Sequence, residues 1–124
     1  MGRVLVVDDN PRVREALREV LKREADFDVC GEAENGQEAI DKGNYLRPDL
    51  IVMDLSMPVL NGFEAVRLLK DLMPNVPVII YTDHGGQIVE RDARTAAAAA
   101  TVFKSENVAL LVHTIRELLN TTAA

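Results

Sequence analysis

The feature that most constrains the fold of this 124-residue chain is a fivefold alternation of two patterns. Five short segments have the apolar pattern of a β-strand, and each is followed by a segment with a helical pattern. Three of these runs are continuously apolar, which is typical of strands buried on both faces of a sheet. The second run, Phe27–Ala33, alternates apolar and polar residues, which indicates a strand with one wet face. The predicted strands cover residues 4–7, 27–33, 50–53, 78–81 and 101–103, with Thr82 ending the fourth.

Helical periodicity fills the segments between these strands. In residues 11–22 the apolar side chains recur at spacings of three and four, which predicts a helix with one face toward a core. Asn10 is a preferred N-cap and Pro11 suits the first helical position. The charged residues of the other face, including Arg14 and Arg18, are predicted to be a solvated surface. Further helices are predicted over residues 37–45, 63–73, from about Gln87, and over 108–119.

The alternation of strands and helices predicts one α/β domain over residues 1–120, with a parallel five-stranded sheet between two layers of helices. The second strand, with one solvent-exposed face, is expected at an edge of the sheet. The order 2-1-3-4-5 places it there and keeps the most apolar strands central. This is the flavodoxin-like (βα)5 three-layer sandwich. The alanines of residues 96–100 favour a long end to the fourth helix. Residues 121–124 are expected to be a flexible tail or the start of a linker.

Composition narrows the classes of function. A net charge of −6 argues against direct nucleic-acid binding by this segment, because phosphate binding needs a basic face. Cys30 is the single cysteine, so no internal disulfide is possible and a reducing setting is favoured. The apolar runs are too short for a membrane span, and Met1 leads directly into a strand without a signal peptide. These features favour a cytoplasmic protein that does not enter a membrane.

Polar side chains stand where four of the predicted strands end. Because the strands of a parallel sheet share one direction, these ends meet at one rim, where the reversal of strand order opens a crevice. A single residue such as Asp54 has an ordinary explanation as a turn former. The coincidence of five polar residues at one rim instead predicts a shared site. These residues are Asp8, Asp9, Asp54, Thr82 and Lys104.

The charges of these residues predict the chemistry of the site. Carboxylates held close together repel one another unless a cation is present, and hard oxygen ligands without His or Cys suit Mg²⁺. A carboxylate can also attack phosphorus, and a transferring phosphoryl group needs its charge neutralised. We therefore predict that Asp54 accepts a phosphoryl group while Asp8 and Asp9 hold the metal. Thr82 would donate a hydroxyl hydrogen bond, and Lys104 would supply a counter-charge.

The chain resembles the receiver domain of two-component response regulators over essentially its whole length. The resemblance rests on Val-Val-Asp-Asp-Asn-Pro at 6–11, Met-Asp-Leu-Ser-Met-Pro at 53–58 with Gly62, Ile-Tyr-Thr at 80–82 and Phe-Lys-Ser at 103–105. It implies magnesium-dependent phosphotransfer from a sensor histidine kinase to Asp54, with the backbone carbonyl of Ser56 as a further metal ligand. It also implies no enzymatic activity beyond slow self-catalysed phosphorylation and dephosphorylation.

The resemblance further implies how the signal leaves the site. Thr82 and Lys104 would sense the phosphoryl group and shift the surface formed by the fourth helix, the fifth strand and the fifth helix. The ending Lys104-Ser105-Glu106 is similar to regulators of the nitrate-response type, which regulate transcription through a helix-turn-helix DNA-binding output domain. A homodimer through that surface, or through the first and fifth helices, is compatible with this family.

Two positions depart from the family pattern and keep an alternative open. Ala97 replaces the usual glycine, and Thr101 replaces the usual aromatic residue, which is the moving part of the switch. The alternative is a phosphorylation-independent receiver that acts as a protein-interaction module. A haloacid-dehalogenase-type phosphatase is disfavoured because Asn10 stands where that family needs a second aspartate. A dinucleotide-binding domain is disfavoured because the first strand-to-helix turn lacks the glycine fingerprint.

Overall fold

The strands form a single parallel sheet in the computed structural model, which describes residues 2–54, 62–83 and 98–123. They are β1 (Gly2–Val7), β2 (Phe27–Ala33), β3 (Leu50–Met53), β4 (Val78–Thr82) and β5 (Ala100–Phe103). Their order is β2-β1-β3-β4-β5, and every neighbouring pair is parallel. The predicted order is confirmed, with β2 at one edge and the fully buried β3 in the centre.

Helices cover both faces of this sheet, which confirms the flavodoxin-like sandwich. They are α1 (Pro11–Lys22), α2 (Gly36–Leu46), α3 (Gly62–Leu72) and the C-terminal helix (Val108–Ala123). The helix predicted from about Gln87 lies outside the described residues. Within the part of the chain that the structure describes, no helix is both long enough and apolar enough to cross a membrane.

The side chains of β3 alternate between two hydrophobic clusters, one on each face of the sheet. Ile51 and Met53 pack on the side of α2 and α3, whereas Leu50 and Val52 pack on the side of α1 and the C-terminal helix. All four are at most 1% exposed. Met53 lies opposite Val7 of β1 in the register, so the residues that follow these two strands emerge side by side at one rim.

The start of α1 holds the chain at this rim in the way that the sequence predicts. The side-chain oxygen of Asn10 accepts a hydrogen bond from the Arg12 N–H at 2.9 Å, and Pro11 occupies the first helical position. Because α1 is capped directly after Asp9, the turn between β1 and α1 is short. The two aspartates therefore stay close to the end of their strand.

The C-terminal segments differ from the prediction in two places. Ala100 belongs to β5 rather than to a helix, and the Ala99 N–H donates to the carbonyl of Val78 at 2.8 Å. Pairing with β4 therefore overrides the helical preference of alanine. The C-terminal helix continues to Ala123, so residues 121–123, expected to be a tail, are helical. The Thr121 hydroxyl donates to the Glu117 carbonyl at 2.9 Å, which supports this last turn.

Arg47 ends α2 in the left-handed region of backbone space, with φ 52° and ψ 61°. A side chain at such a position costs about 1 kcal/mol or more, and glycine avoids that cost. Arg47→Gly should therefore raise the free energy of unfolding by up to about 1 kcal/mol, as measured by urea denaturation. Arg23→Gly is the matched control, because Arg23 caps α1 at φ −76°. Arg23→Gly should lower the free energy of unfolding. Equal changes in the free energy of unfolding of the two variants would contradict the explanation by backbone strain at Arg47.

Candidate functional site

Asp54 leaves β3 as a nearly buried carboxylate, with 6% of the residue exposed. Its N–H donates to the Val7 carbonyl at 3.0 Å, so the residue is still held by β1 after the strand has ended. Burial is unusual for an aspartate that only forms a turn, because an ionised carboxylate away from water needs partners. The structure thus places Asp54 where the sequence predicts it, at the end of the central strand.

Asp8 is also buried, with 2% of the residue exposed, whereas its neighbour Asp9 is exposed. The Asp8 N–H donates to the Ala33 carbonyl at 3.0 Å, which ties the end of β1 to the end of β2. Asp8 Oδ1 accepts a hydrogen bond from the Asn10 N–H at 2.9 Å. The backbone and the side chain of Asp8 are therefore both fixed at the start of the turn into α1.

The three aspartates form one acidic cluster. One carboxylate oxygen from each of Asp8, Asp9 and Asp54 lies within 4.8 Å of the others. Three carboxylate oxygens suit a hard divalent cation, and Mg²⁺ prefers a small number of carboxylates with the rest of its coordination sphere left to waters or phosphate oxygens. The donor set therefore fits magnesium. Ser56, whose carbonyl was predicted as a further ligand, lies outside the described residues.

Lys104 brings a positive charge to this cluster from the end of β5. Its Nζ lies 2.8 Å from Asp8 Oδ2 and 3.7 Å from Asp54 Oδ1, and 14% of its side chain is exposed. Burial lowers the pKa of Lys104, but the hydrogen bond to Asp8 and the charges of Asp54, Asp8 and Asp83 outweigh it, so the pKa lies above its usual value. The ammonium is therefore a fixed charge that the two buried carboxylates share.

Thr82 ends β4 beside β5 and is fully buried. Its carbonyl accepts a hydrogen bond from the Lys104 N–H at 2.7 Å, so the backbones of the two predicted sensing residues are joined. Asp83, the next residue, is exposed. The structure thus brings together Asp8, Asp9, Asp54 and Lys104 and places Thr82 on the adjoining strand.

The sequence prediction was wrong about Arg14. It was assigned to the solvated face of α1, but only 17% of its side chain is exposed. Its Nη1 donates to the backbone carbonyl of Asp8 at 2.6 Å, and its Nε donates to Glu32 at 3.2 Å. Side chains in a helix point back toward its N-terminus, so a long residue in the first turn of α1 can reach the preceding loop. The place of Arg14 in the first turn of α1, close to Asp8 in sequence, was the signal from which this contact could have been predicted.

Comparison with known proteins gives consistent matches. The model of the response regulator receiver domain family matches residues 4–116. The chain is 36% identical over 102 residues to the chemotaxis protein CheY of Thermotoga maritima, which covers 82% of this chain and 84% of CheY. It is 32% identical over 115 residues to the transcriptional regulatory protein LnrK of Bacillus subtilis, which covers 93% of this chain and 52% of LnrK.

Solved structures show the same likeness. The crystal structure of a LuxR-family two-component response regulator from Aurantimonas sp. SI85-9A1 matches with a TM-score of 0.93 and 34% sequence identity. That match covers 98% of this chain and 86% of the other. The chain thus spans most of CheY but about half the length of LnrK.

Proposed function

Because this chain belongs to the response regulator receiver domain family, we propose that it is a phosphorylation switch in which Asp54 accepts a phosphoryl group from a sensor histidine kinase. The observation that carries the proposal is the convergence of three carboxylates and one ammonium at a single rim. Asp54 is nearly buried, lies in the acidic cluster and has the Lys104 Nζ at 3.7 Å. A carboxylate so placed is poised to receive a group that carries negative charge.

The proposed step transfers the phosphoryl group from an imidazole nitrogen to a carboxylate oxygen. An Asp54 Oδ attacks phosphorus and forms the new P–O bond. The P–N bond of the phosphohistidine breaks and its electron pair returns to the imidazole nitrogen. Because the other ring nitrogen of the phosphohistidine carries a proton, the ring leaves as neutral histidine. Lys104 supplies positive charge beside the phosphoryl oxygens, and the Thr82 hydroxyl donates a hydrogen bond to one of them.

The acidic cluster is the proposed magnesium site. Asp8, Asp9 and Asp54 would hold Mg²⁺, with the Ser56 carbonyl as a further ligand. When bound, the metal neutralises charge on the phosphoryl oxygens and on the carboxylates. The three aspartates need such a charge because only one ammonium, that of Lys104, balances them among the described residues of the cluster.

An apolar groove beside Lys104 supports docking of the kinase at this rim. The groove, of about 430 Å³, lies between α1 and the start of the C-terminal helix. Val13 and Leu17 of α1 and Val108 of the C-terminal helix line it, and Lys104 and Arg12 also border it. A partner helix that carries the phosphohistidine could bury apolar side chains here while its phosphoryl group points toward the basic residues.

Signal output is proposed to follow from a competition for Lys104. Its ammonium now lies closer to Asp8 than to Asp54. A phosphoryl group on Asp54 adds negative charge there and would draw Lys104 toward it. Since Lys104 follows β5 directly, the shift would reach the surface of β5 and the helices beside it. That surface, or the face of α1 and the C-terminal helix, would then support homodimerisation.

The proposed role of the whole protein is transcription regulation in the cytoplasm through a DNA-binding output domain after the receiver. The relative LnrK is called a transcriptional regulatory protein, and this chain matches about half of it. The receiver itself would carry no enzymatic activity other than slow autophosphorylation and dephosphorylation. The boundary of the receiver near residue 120 stays a prediction.

Incubation with acetyl phosphate and MgCl₂, followed by intact-mass measurement, tests the proposal. The wild-type protein should gain one phosphoryl group, and the gain should vanish in Asp54→Asn and when EDTA is added. Asp41→Asn is a suitable control because Asp41 is exposed and bonds to Gln37 on α2. No adduct under any condition would favour the phosphorylation-independent interaction module. Sustained hydrolysis of a phosphate ester would favour a phosphatase.

A further inference from the structure

The guanidinium of Arg14 is held between two oxygen acceptors rather than solvated. Its Nη1 donates to the backbone carbonyl of Asp8 at 2.6 Å, and its Nε donates to Glu32 Oε1 at 3.2 Å. A largely buried arginine with two directed hydrogen bonds has one defined orientation. It therefore holds both the backbone at Asp8 and the side chain of Glu32 in place.

The carbonyl that Arg14 holds belongs to the peptide unit between Asp8 and Asp9. That unit is planar, so fixing its oxygen also fixes the direction in which the chain enters Asp9. The other side of Asp8 is already fixed, because its N–H donates to the Ala33 carbonyl. Asp9 is the exposed member of the acidic cluster. The Arg14 bond thus holds the backbone from which the exposed Asp9 carboxylate projects.

Glu32 anchors Arg14 from β2. Its second carboxylate oxygen accepts a hydrogen bond from Arg18, one turn further along α1. Its backbone carbonyl accepts a hydrogen bond from the Lys42 ammonium of α2 at 2.5 Å. Partners from two helices therefore orient Glu32, and 27% of its side chain is exposed. Arg14 is held by a residue that is itself fixed.

We propose that Arg14 is a positioning residue of the metal site, which acts through the Asp8 carbonyl to place the Asp9 carboxylate for divalent cation binding. The inference rests on the magnesium site of the proposed function and names a residue that supports it. Arg14 acts on a carbonyl oxygen and on Glu32, not on the carboxylates of the cluster. The contribution of Arg14 to Mg²⁺ binding should therefore be the same before and after phosphorylation of Asp54.

The direction in which Mg²⁺ affinity changes when Arg14 is removed distinguishes a positioning role from a purely electrostatic one. Removing a positive charge near three carboxylates makes the site more negative, which by itself strengthens cation binding. Removing a residue that orients a ligand weakens binding, and such supporting residues commonly contribute about 10-fold to 100-fold in metal affinity. Weaker Mg²⁺ binding after loss of Arg14 would therefore oppose the electrostatic trend.

Titration of ¹⁵N-labelled protein with MgCl₂, followed by amide chemical shifts, measures the affinity and reports the fold in the same spectra. Arg14→Gln should weaken Mg²⁺ binding by about 10-fold. Arg14→Lys should weaken Mg²⁺ binding less, because its ammonium keeps the charge and can donate to one of the two acceptors, although it lacks the planar fork that reaches both. Arg18→Gln is the matched control, since it removes the same charge and also contacts Glu32 but leaves the Asp8 carbonyl bond. Arg18→Gln should not weaken binding.

The outcomes distinguish this inference from the proposed function. If the wild type binds Mg²⁺ and the Arg14 and Arg18 variants change affinity alike, the positioning role is overturned and the metal site stands. Lower thermal stability of Arg14→Gln with unchanged affinity would likewise show a purely structural role. If the wild type does not bind Mg²⁺, both fail. Should Arg14→Gln not fold, Arg14→Lys replaces it, because lysine keeps the positive charge, so weaker binding would come from the lost geometry.

Discussion

Replacing Lys104 with methionine should lower the free energy of unfolding by about 2 to 3 kcal/mol in metal-free buffer at neutral pH. Asp8 and Asp54 are 2% and 6% exposed, and Lys104 Nζ lies 2.8 and 3.7 Å from their oxygens. Methionine keeps most of the chain length but removes the charge that both carboxylates share. The 14% exposure of the lysine side chain keeps the loss below that of a fully buried pair. Urea denaturation measures it.

Added Mg²⁺ and strongly alkaline pH should each reduce this loss of stability. Adding MgCl₂ should stabilise Lys104→Met more than the wild type, because no ammonium competes for the acidic cluster. The pKa of Lys104 is raised above its usual 10.5, and a group with a raised pKa stabilises the fold below its usual pKa and loses that contribution as the pH rises through the folded value. The difference between the two proteins should therefore persist at mildly alkaline pH and shrink only above the usual lysine pKa.

A control variant separates the buried pair from a general effect of charge. Lys22→Met removes an exposed lysine from the end of α1 and should change stability by no more than about 0.5 kcal/mol. Equal stability of Lys104→Met and the wild type in metal-free buffer would contradict the prediction. It would mean that the acidic cluster does not need Lys104 to remain folded.

The fold could be predicted because its apolar patterns differ between elements. Continuous apolar runs identified β3 and β4 as buried, and alternation of apolar and polar residues identified β2 as an edge strand. The pattern failed at Ala100, where local preference favours a helix but pairing with Ile79 of β4 places the residue in β5. Such pairing depends on residues distant in sequence, so a propensity cannot reveal it.

The arrangement of the candidate site was predictable to the extent that the strand ends determine it. Asp8, Asp9, Asp54 and Lys104 converge because β1, β3 and β5 end at the same rim. The preference of Lys104 for Asp8 over Asp54 could not be predicted, because it depends on differences of about 1 Å between side chains. Arg14 was missed because a charged residue on a helix face is most often solvated. Ser56 and the predicted fourth helix lie outside the described residues.

Truncating Ile51 to alanine should lower the free energy of unfolding by about 3 to 5 kcal/mol. Ile51 is fully buried in the cluster beneath α2 and α3, in the strand that delivers Asp54. Strands on both sides of β3 restrict collapse of the cavity that the lost methyl groups leave. Ile51→Val removes a single methyl group and should cost only about 1 kcal/mol. Urea denaturation of the two variants gives the comparison.

Leu68→Ala is the control at an exposed position, since Leu68 of α3 is 45% exposed. This change should lower the free energy of unfolding much less than Ile51→Ala. Because the Ile51 side chain packs in the core and the backbone N–H of Asp54 donates to the Val7 carbonyl, the Ile51→Ala change should affect folding rather than the proposed reaction of Asp54. At temperatures where Ile51→Ala stays folded, labelling by acetyl phosphate should match that of the wild type. A small loss of stability, or reduced labelling of the folded variant, would contradict this separation between the core that carries Asp54 and the rim where we propose that it reacts.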